Sequence, residues 1–254
     1  MPLSFQAEAL VGESGKIYIA TSGWHYGHWI GPFYPADIRK NRLFEYYLTR
    51  FDTVEINNSF YRLPEEKTFA HWRDAAPEGF VFALKGSRLI THVKRLKDPQ
   101  EPLKAFMDRA VILGAKLGPV LFQLPPRWKR NMERLESFLK ALPRAHRFAF
   151  EFRDPDWFHP DVYALLNEYN ASFCIYDFDL RLSPREVTAD FIYIRLHGPA
   201  GKYQGQYSED ALADWAGFLK SWRNRVKALY CYFDNDEAGY APQDALRLKA
   251  MTGV

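Results

Sequence analysis

The stretch RFAFEFR, residues 147–153, is an apolar run that ends in opposite charges two positions apart, Glu151 and Arg153. Two further runs end the same way: DTVEIN (52–57) closes with Glu55 and Asn57, and DFIYIRLH (190–197) closes with Arg195 and His197. Residues i and i+2 of a strand project to the same side, so each pair points one way as a unit. Apolar strands tipped with charge at one end describe a pocket better than a packing surface.

Working outward, strands are expected at IYIATS (17–22), DTVEIN (52–57), FVFALK (80–85), PVLFQL (119–124), RFAFEF (147–152), ASFCIYD (171–177), DFIYIRL (190–196) and ALYCYF (228–233). Most are nearly continuous apolar runs, the pattern of a parallel sheet covered on both faces. Amphipathic segments separate them. Asp98-Pro99 offers an N-cap followed by proline at the first helical position, and Gly118-Pro119 is expected to stop that helix. Ser208 can cap a helix whose Leu212, Trp215, Phe218, Leu219 and Trp222 form one stripe. Leu135, Phe138, Leu139 and Leu142 share a face in the same way.

Eight strands joined by crossovers in 254 residues predict an α/β fold, a single (β/α)8 barrel. An open doubly wound sheet has the same alternation but would gather its polar residues at a switch point, not along the whole chain. The sixth crossover, FDLRLSPREVTA (178–189), is barely long enough for a parallel return, so its helix is expected to be short or missing. One domain over 1–254 is expected, with residues 1–15 a flexible or peripheral segment.

Composition excludes several classes. The chain is 47% hydrophobic and 26% charged, with 34 basic and 31 acidic residues, too mild a balance to signal nucleic acid by itself. Cys174 and Cys231 lie in apolar runs without a C-x-x-C, which reads as buried thiols and not as a disulfide framework or zinc site. The first residues lack a basic segment followed by an apolar one, and no apolar run approaches the roughly 18 residues of a membrane span. The expectation is a cytoplasmic protein that does not engage membranes.

In (β/α)8 enzymes the site lies at the carboxyl ends of the strands. Those ends here carry Ser22, Trp24 and His25, then Glu55 and Asn57, Lys85, Gln123, Glu151 and Arg153, Asp177, Arg195 and His197, and Asp234 with Asn235. Mutual ion pairing could account for any one of them, but buried charge networks are weak stabilisers, so the ensemble reads as functional. Lys85, Arg153 and Arg195 suit a small anionic ligand, since the guanidinium fork matches carboxylate or phosphate. Glu151 is the candidate base, with Glu55 or His197 as its acid partner. Asn57, Gln123 and Asn235 are candidates for orienting a substrate.

Glu55, Glu151, His197 and Asp234 are chemically possible metal ligands, yet no His-x-x-x-His or Asp-x-Asp spacing supports a metal. No glycine-rich phosphate motif identifies a cofactor, so the cofactor stays open. The loop HGPAGKYQGQYS (197–208) could close over a ligand, with Lys202 or Tyr203 reaching inward. SGWHYGHWIGPFYP (22–35) reads as a packed plug or as a stacking platform in which Trp24 takes part. The basic run Lys94-Arg95-Leu96-Lys97, with Arg88 and His92, reads as a solvated loop or a phosphate contact.

Taken together, SGWHYGHWIGPFYP, VEINNSFYRLP, FALKGSRLITH, LFQLPPRW, FEFRDPDWF, IRLHGPAGKYQGQYS and YFDNDEAGYAPQDA resemble the successive blocks of the YecE-like family, domain-of-unknown-function family 72. The resemblance spans the whole chain and implies a single (β/α)8 barrel. It maps the recurrent polar positions onto Glu55, Asn57, Lys85, Gln123, Glu151, Arg153, Arg195, His197 and Asn235, while Asp234 and Gln243-Asp244-Ala245 depart from its pattern. It names no substrate. The function expected is an enzyme, of isomerase, lyase or hydrolase type, acting by acid/base chemistry on a small phosphorylated or carboxylated sugar-like compound. The alternative is a protein that binds nucleic acid or a phosphorylated ligand without turnover.

Overall fold

The computed structural model describes residues 14–254. Its strands are β1 (Lys16–Thr21), β2 (Thr53–Ile56), β3 (Val81–Lys85), β4 (Leu117–Gln123), β5 (Phe148–Glu151), β6 (Ser172–Phe178), β7 (Arg181–Leu182), β8 (Phe191–Leu196) and β9 (Ala228–Phe233). The helices are α1 (Leu43–Leu48), α2 (Asn58–Tyr61), α3 (Glu66–Ala75), α4 (Gln100–Ala110), α5 (Met132–Ala141), α6 (Pro160–Glu168), α7 (Glu209–Trp222) and α8 (Tyr240–Thr252). The sheet runs β1-β9-β8-β6-β5-β4-β3-β2. Its two end strands meet at a parallel bridge between Ser22 and Glu55, where Gly23 N donates to Glu55 O at 2.8 Å. The fold is therefore an eight-stranded, nearly closed parallel α/β barrel with helices around it. All eight expected strands are present, each within about two residues of the expected ends, the usual uncertainty of such boundaries.

β7 is the strand the sequence did not announce. It pairs antiparallel with β6, Asp177 opposite Leu182, across a tight turn at Asp179 and Leu180 with φ of 56° and 61°. Both central residues are left-handed, as a two-residue hairpin requires. Ser183 then accepts from Tyr176 N at 2.9 Å, and the chain reaches β8 with no helix between. The short sixth crossover is thus a hairpin with an extended return.

The residues form two compact units, one of Ile56–Cys174 with Glu186–Ala189, the other running up to Glu55 and including Ile175–Arg185 and Asp190–Val254. In the first unit β3, β4, β5 and the start of β6 pair in parallel. Its core is aromatic: Phe122 packs edge-on against Phe138 of α5 at 4.9 Å and beside Phe150 at 5.7 Å. In the second unit β1, β9 and β8 are parallel neighbours, and Trp29, Tyr34 and Tyr47 are buried. The segment 22–35 packs with them: Trp29 Nε1 donates to Asp236 Oδ1 and Tyr34 OH to Trp24 O.

Side-chain caps open three of these helices, Asn131 at α5, His159 at α6 and Ser208 at α7. Ser208 Oγ accepts from Ala211 N at 3.2 Å at the start of α7, as its position suggests. Asp98 does not cap α4: its φ is 43° and Pro99 occupies the cap position. Gly118 does not end that helix either. α4 stops at Ala110, a tighter helical stretch follows, and Gly114 at φ 57° breaks it before β4 begins. The expected peripheral segment lies outside the described residues up to 13. Ser14 and Gly15 are held, Gly15 N donating to Arg223 O at 2.6 Å. Among the described residues, no helix is long and apolar enough to cross a membrane.

Candidate functional site

Each unit gathers ionisable residues at the carboxyl ends of its strands. In the first unit Lys85 closes β3, Gln123 closes β4 and Glu151 closes β5, with Gln123 and Glu151 in register. Glu151 has no solvent exposure and accepts from Arg153 Nε, whose side chain is 7% exposed. The Cys174 thiol lies 3.9 Å from the other Glu151 oxygen. Lys85 places its ammonium 4.5 Å over the Phe60 ring, a cation–π contact. His92 packs edge-on against the same ring at 5.1 Å. Burial, and then the charges of Lys85, Arg88 and Arg95, hold the His92 imidazole down at about 4, with Glu151 partly opposing them. Asn57 follows β2, and its Oδ1 is buried with no hydrogen-bond partner among the described residues.

In the second unit the face of β8 that carries Arg195 and His197 also carries Tyr193, because the three alternate. Glu55, with no exposure, is the hub. It accepts from Ser22 Oγ at 2.5 Å, Tyr193 OH at 2.7 Å, and Arg195 Nε and Nη2 at 3.2 and 2.8 Å. Arg195 Nη2 also donates to Asp234 Oδ2 at 3.2 Å, and Nη1 lies 3.3 Å from His197 Nε2. Arginine has donors only, so Nε2 of His197 is the acceptor and the neutral ring carries its proton on Nδ1. That nitrogen lies 3.1 Å from Asp234 Oδ2. Of these four residues Asp234 is the most exposed, at 13% of its side chain.

The loop after β8 covers this cluster. Tyr203, at φ 64°, sets its ring edge-on to His197 at 5.6 Å and to Phe178 at 5.9 Å. Tyr207 OH bonds Gly198 N and Asp177 Oδ2, both at 3.0 Å. Burial raises the Asp177 carboxyl, with the Tyr207 hydroxyl acting against it. Asn235 Nδ2 donates to Gly205 O and to buried Asp244 Oδ2, while its Oδ1 has no partner among the described residues. Burial also raises Asp244, against donors from Tyr207, Asn235 and Arg247. Lys202 Nζ lies 3.6 Å from Asp179 Oδ2 and 5.9 Å from the centre of the Phe178 ring.

Gly198 is where this loop depends on glycine. Its φ is 111°, and a Cβ there would stand 2.2 Å from Gln204 O. Gly198→Ala is expected to destabilise the protein by about 1–3 kcal/mol and to expose residues 199–206 to limited proteolysis. Urea unfolding and digestion of the variant beside the parent would check both.

The structure thus places Lys85, Gln123, Glu151, Arg153 and Asn57 in the first unit, and Glu55, Arg195, His197, Asn235, Trp24 and Tyr203 in the second. Two participants, Tyr193 and Phe60, escaped the sequence reading, and a third, His92, was read there only as part of the basic run. Tyr193 was legible in principle, two residues before Arg195 on the same strand face. Phe60 and His92 come together only through the fold. Among the described residues no group of three or more His, Cys, Asp and Glu side chains is arranged to hold a metal ion. A cavity of about 190 Å³ in the first unit, lined by Leu139, Leu142, Arg144, His146, Phe148 and Glu168 among others, contains none of these residues.

The family model described as "Protein of unknown function DUF72" matches residues 18–254. The chain is 24% identical over 273 residues to the UPF0759 protein YunF of Bacillus subtilis (strain 168), covering 94% of this chain and 95% of that one. It is 27% identical over 143 residues to the UPF0759 protein YecE of Escherichia coli (strain K12), across 56% of this chain and 50% of that protein. Among solved structures, a DUF72 family protein from Thermotoga maritima MSB8 is similar with a TM-score of 0.86 at 28% identity, covering 94% and 100% of the two chains. One from Enterococcus faecalis V583 gives 0.79 at 20% identity over 94% and 96%, a likeness of fold alone.

Proposed function

The chain belongs to the DUF72 family, and we propose that it is an enzyme acting by acid/base chemistry on a small anionic substrate, phosphorylated or carboxylated and sugar-like. The observation that carries this reading is the burial of Glu55, Glu151, Arg195 and His197, each at 1% exposure or less, at strand carboxyl ends. Removing such groups from water costs several kcal/mol each. Nothing in the packing of a barrel obliges it to gather such groups at this end, the end where the sites of (β/α)8 enzymes lie.

Within the first unit, Lys85 and Arg153 hold the anion or a developing oxyanion. Glu151 is the general base, and Gln123 and Asn57 orient the substrate. In the second unit His197 is the proton-transfer residue, with the Asp234 carboxylate beside its Nδ1. Glu55 takes an orienting role, because four donors already occupy its oxygens. Asn235, Trp24 and Tyr203 are the substrate-contacting groups there. The Oδ1 atoms of Asn57 and Asn235, without a partner among the described residues, support these assignments, since buried acceptors are rarely left unsatisfied without a reason.

A second reading, binding of nucleic acid or a phosphorylated ligand without turnover, draws on the exposed Tyr61, Leu89 and Val93, whose sequence neighbours include Arg88, Lys94 and Arg95. A thermal-shift series separates the two. Sugar phosphates, organic acids, divalent metals and short oligonucleotides would be added to the full chain and to Lys85→Met. Stabilisation by one class of small anion, about 2.7 kcal/mol at a hundredfold excess over Kd and mostly absent in the variant, is the expected result. A shift with oligonucleotides alone that fades steeply with salt would favour the second reading.

A further inference from the structure

The basic segment after β3 is not used by the roles above, and its geometry is unusual. Leu89–Val93 form one wide helical turn, closed by Lys94 N donating to Leu89 O at 2.9 Å. Such turns recur at functional sites, where the extra residue re-aims a side chain. Arg95, Leu96 and Asp98 follow with left-handed φ of 47°, 63° and 43°, a strain that persists only where the surroundings enforce it.

This turn fixes His92. Its ring edge rests on Phe60, the ring over which the Lys85 ammonium also sits. Its Nδ1 lies 2.9 Å from Thr91 Oγ1, and the Thr91 hydroxyl points to Ser87 O at 3.3 Å. A hydroxyl has one proton to give. Given to the Ser87 carbonyl, it leaves the Thr91 oxygen to accept at His92, the arrangement in which the imidazole proton is on Nδ1 and Nε2 keeps its lone pair.

We propose that His92 is a further substrate-contacting residue, whose Nε2 accepts the hydroxyl proton of an anion held by Lys85. The proposal rests on the reading of Lys85 as an anion seat. Burial first, and then Lys85 on β3 with Arg88 and Arg95 around the turn, keeps the ring neutral before the anion arrives, with Glu151 of β5 as the opposing charge. An incoming anion offsets the three cations and raises the basicity of Nε2 at the moment of binding. The proton then passes from the substrate oxygen to Nε2. This leaves an imidazolium whose Nδ1–H still bonds Thr91 and an alkoxide facing the Lys85 ammonium. A fixed cation could not do this, because it has no lone pair to offer.

The test is a long-range ¹H–¹⁵N spectrum of the full chain labelled at histidine and lysine nitrogens. It would be recorded against pH, with and without inorganic phosphate, for the parent and for Lys85→Met. The expected result at pH 7 is a neutral His92 protonated on Nδ1 whose Nε2 signal moves with phosphate. Its titration midpoint should rise by roughly one pH unit or more when phosphate is bound. In Lys85→Met the midpoint should rise without phosphate and the phosphate response should vanish. A His92 proton on Nε2 would overturn the proposal. So would phosphate that shifts Lys85 Nζ and leaves His92 unmoved, a result that spares the anion seat. If neither residue responds, the anion seat fails and the role of His92 fails with it. Where acid unfolding intervenes, the tautomer and phosphate response at pH 7 decide the matter.

Discussion

Arg195→Met is expected to lower the free energy of unfolding by about 3–5 kcal/mol, the cost of leaving a buried charge without its partner. Glu55 has no solvent exposure, and two of its four donors are Arg195 Nε and Nη2. Methionine fills comparable volume but donates nothing, so the carboxylate keeps only Ser22 and Tyr193. His197 loses the donor at Nε2 and Asp234 loses an ion-pair partner. The Glu55→Leu, Arg195→Met double variant should recover much of the loss, because an apolar pair of similar size is often no worse than a buried ion pair. Urea unfolding of the four proteins gives the coupling energy directly. A double variant as unstable as the sum of the two singles would show that the Glu55–Arg195 pair is not the unit described above.

Glu151→Gln is expected to reduce turnover by about 10²–10⁴-fold, the usual contribution of a positioned general base. The amide keeps the shape of the carboxylate and an oxygen for Arg153 Nε, so the fold and the anion seat at Lys85 should survive. The measurement is turnover of whichever anion stabilises the protein, beside the thermal shift that this anion produces. Loss of turnover with the shift retained fits a base. Loss of both in a folded variant would make Glu151 a structural partner of Arg153. Turnover within tenfold of the parent would move the chemistry elsewhere.

Much of the fold was legible because covered parallel strands leave a plain mark. RFAFEF and FIYIRL are nearly unbroken apolar runs, and only a sheet with helices on its faces can bury both sides of such strands. The i, i+2 charged pairs were legible for a related reason: alternation places Glu151 with Arg153, and Arg195 with His197, without knowledge of any neighbour. Local punctuation was less reliable. Ser208 caps as expected because an N-cap needs only its own next turn. Asp98 and Gly118 mislead because the chain between β3 and β4 is set by the wide turn at Leu89–Val93 and by Gly114, neither of which has a fixed sequence signature.

The sequence by itself determined the architecture, the end of the strands where polar residues collect, and the identity of most of those residues. Each of these follows from periodicity and order along the chain. Only the tertiary structure decided how the charges are spent. It enclosed Glu55 with four donors, which turns a possible acid into an anchor for Arg195. It fixed the His197 proton on Nδ1 by setting an arginine against Nε2. It also drew His92 out of a run that read as a solvated loop or a phosphate contact and set it, with Lys85, on the ring of Phe60. The physical reason is that a side chain's role here depends on which atoms donate to it and how far it is removed from water. Both are set by residues distant in sequence, as when Tyr193 and Arg195 of one strand close on the Glu55 of another.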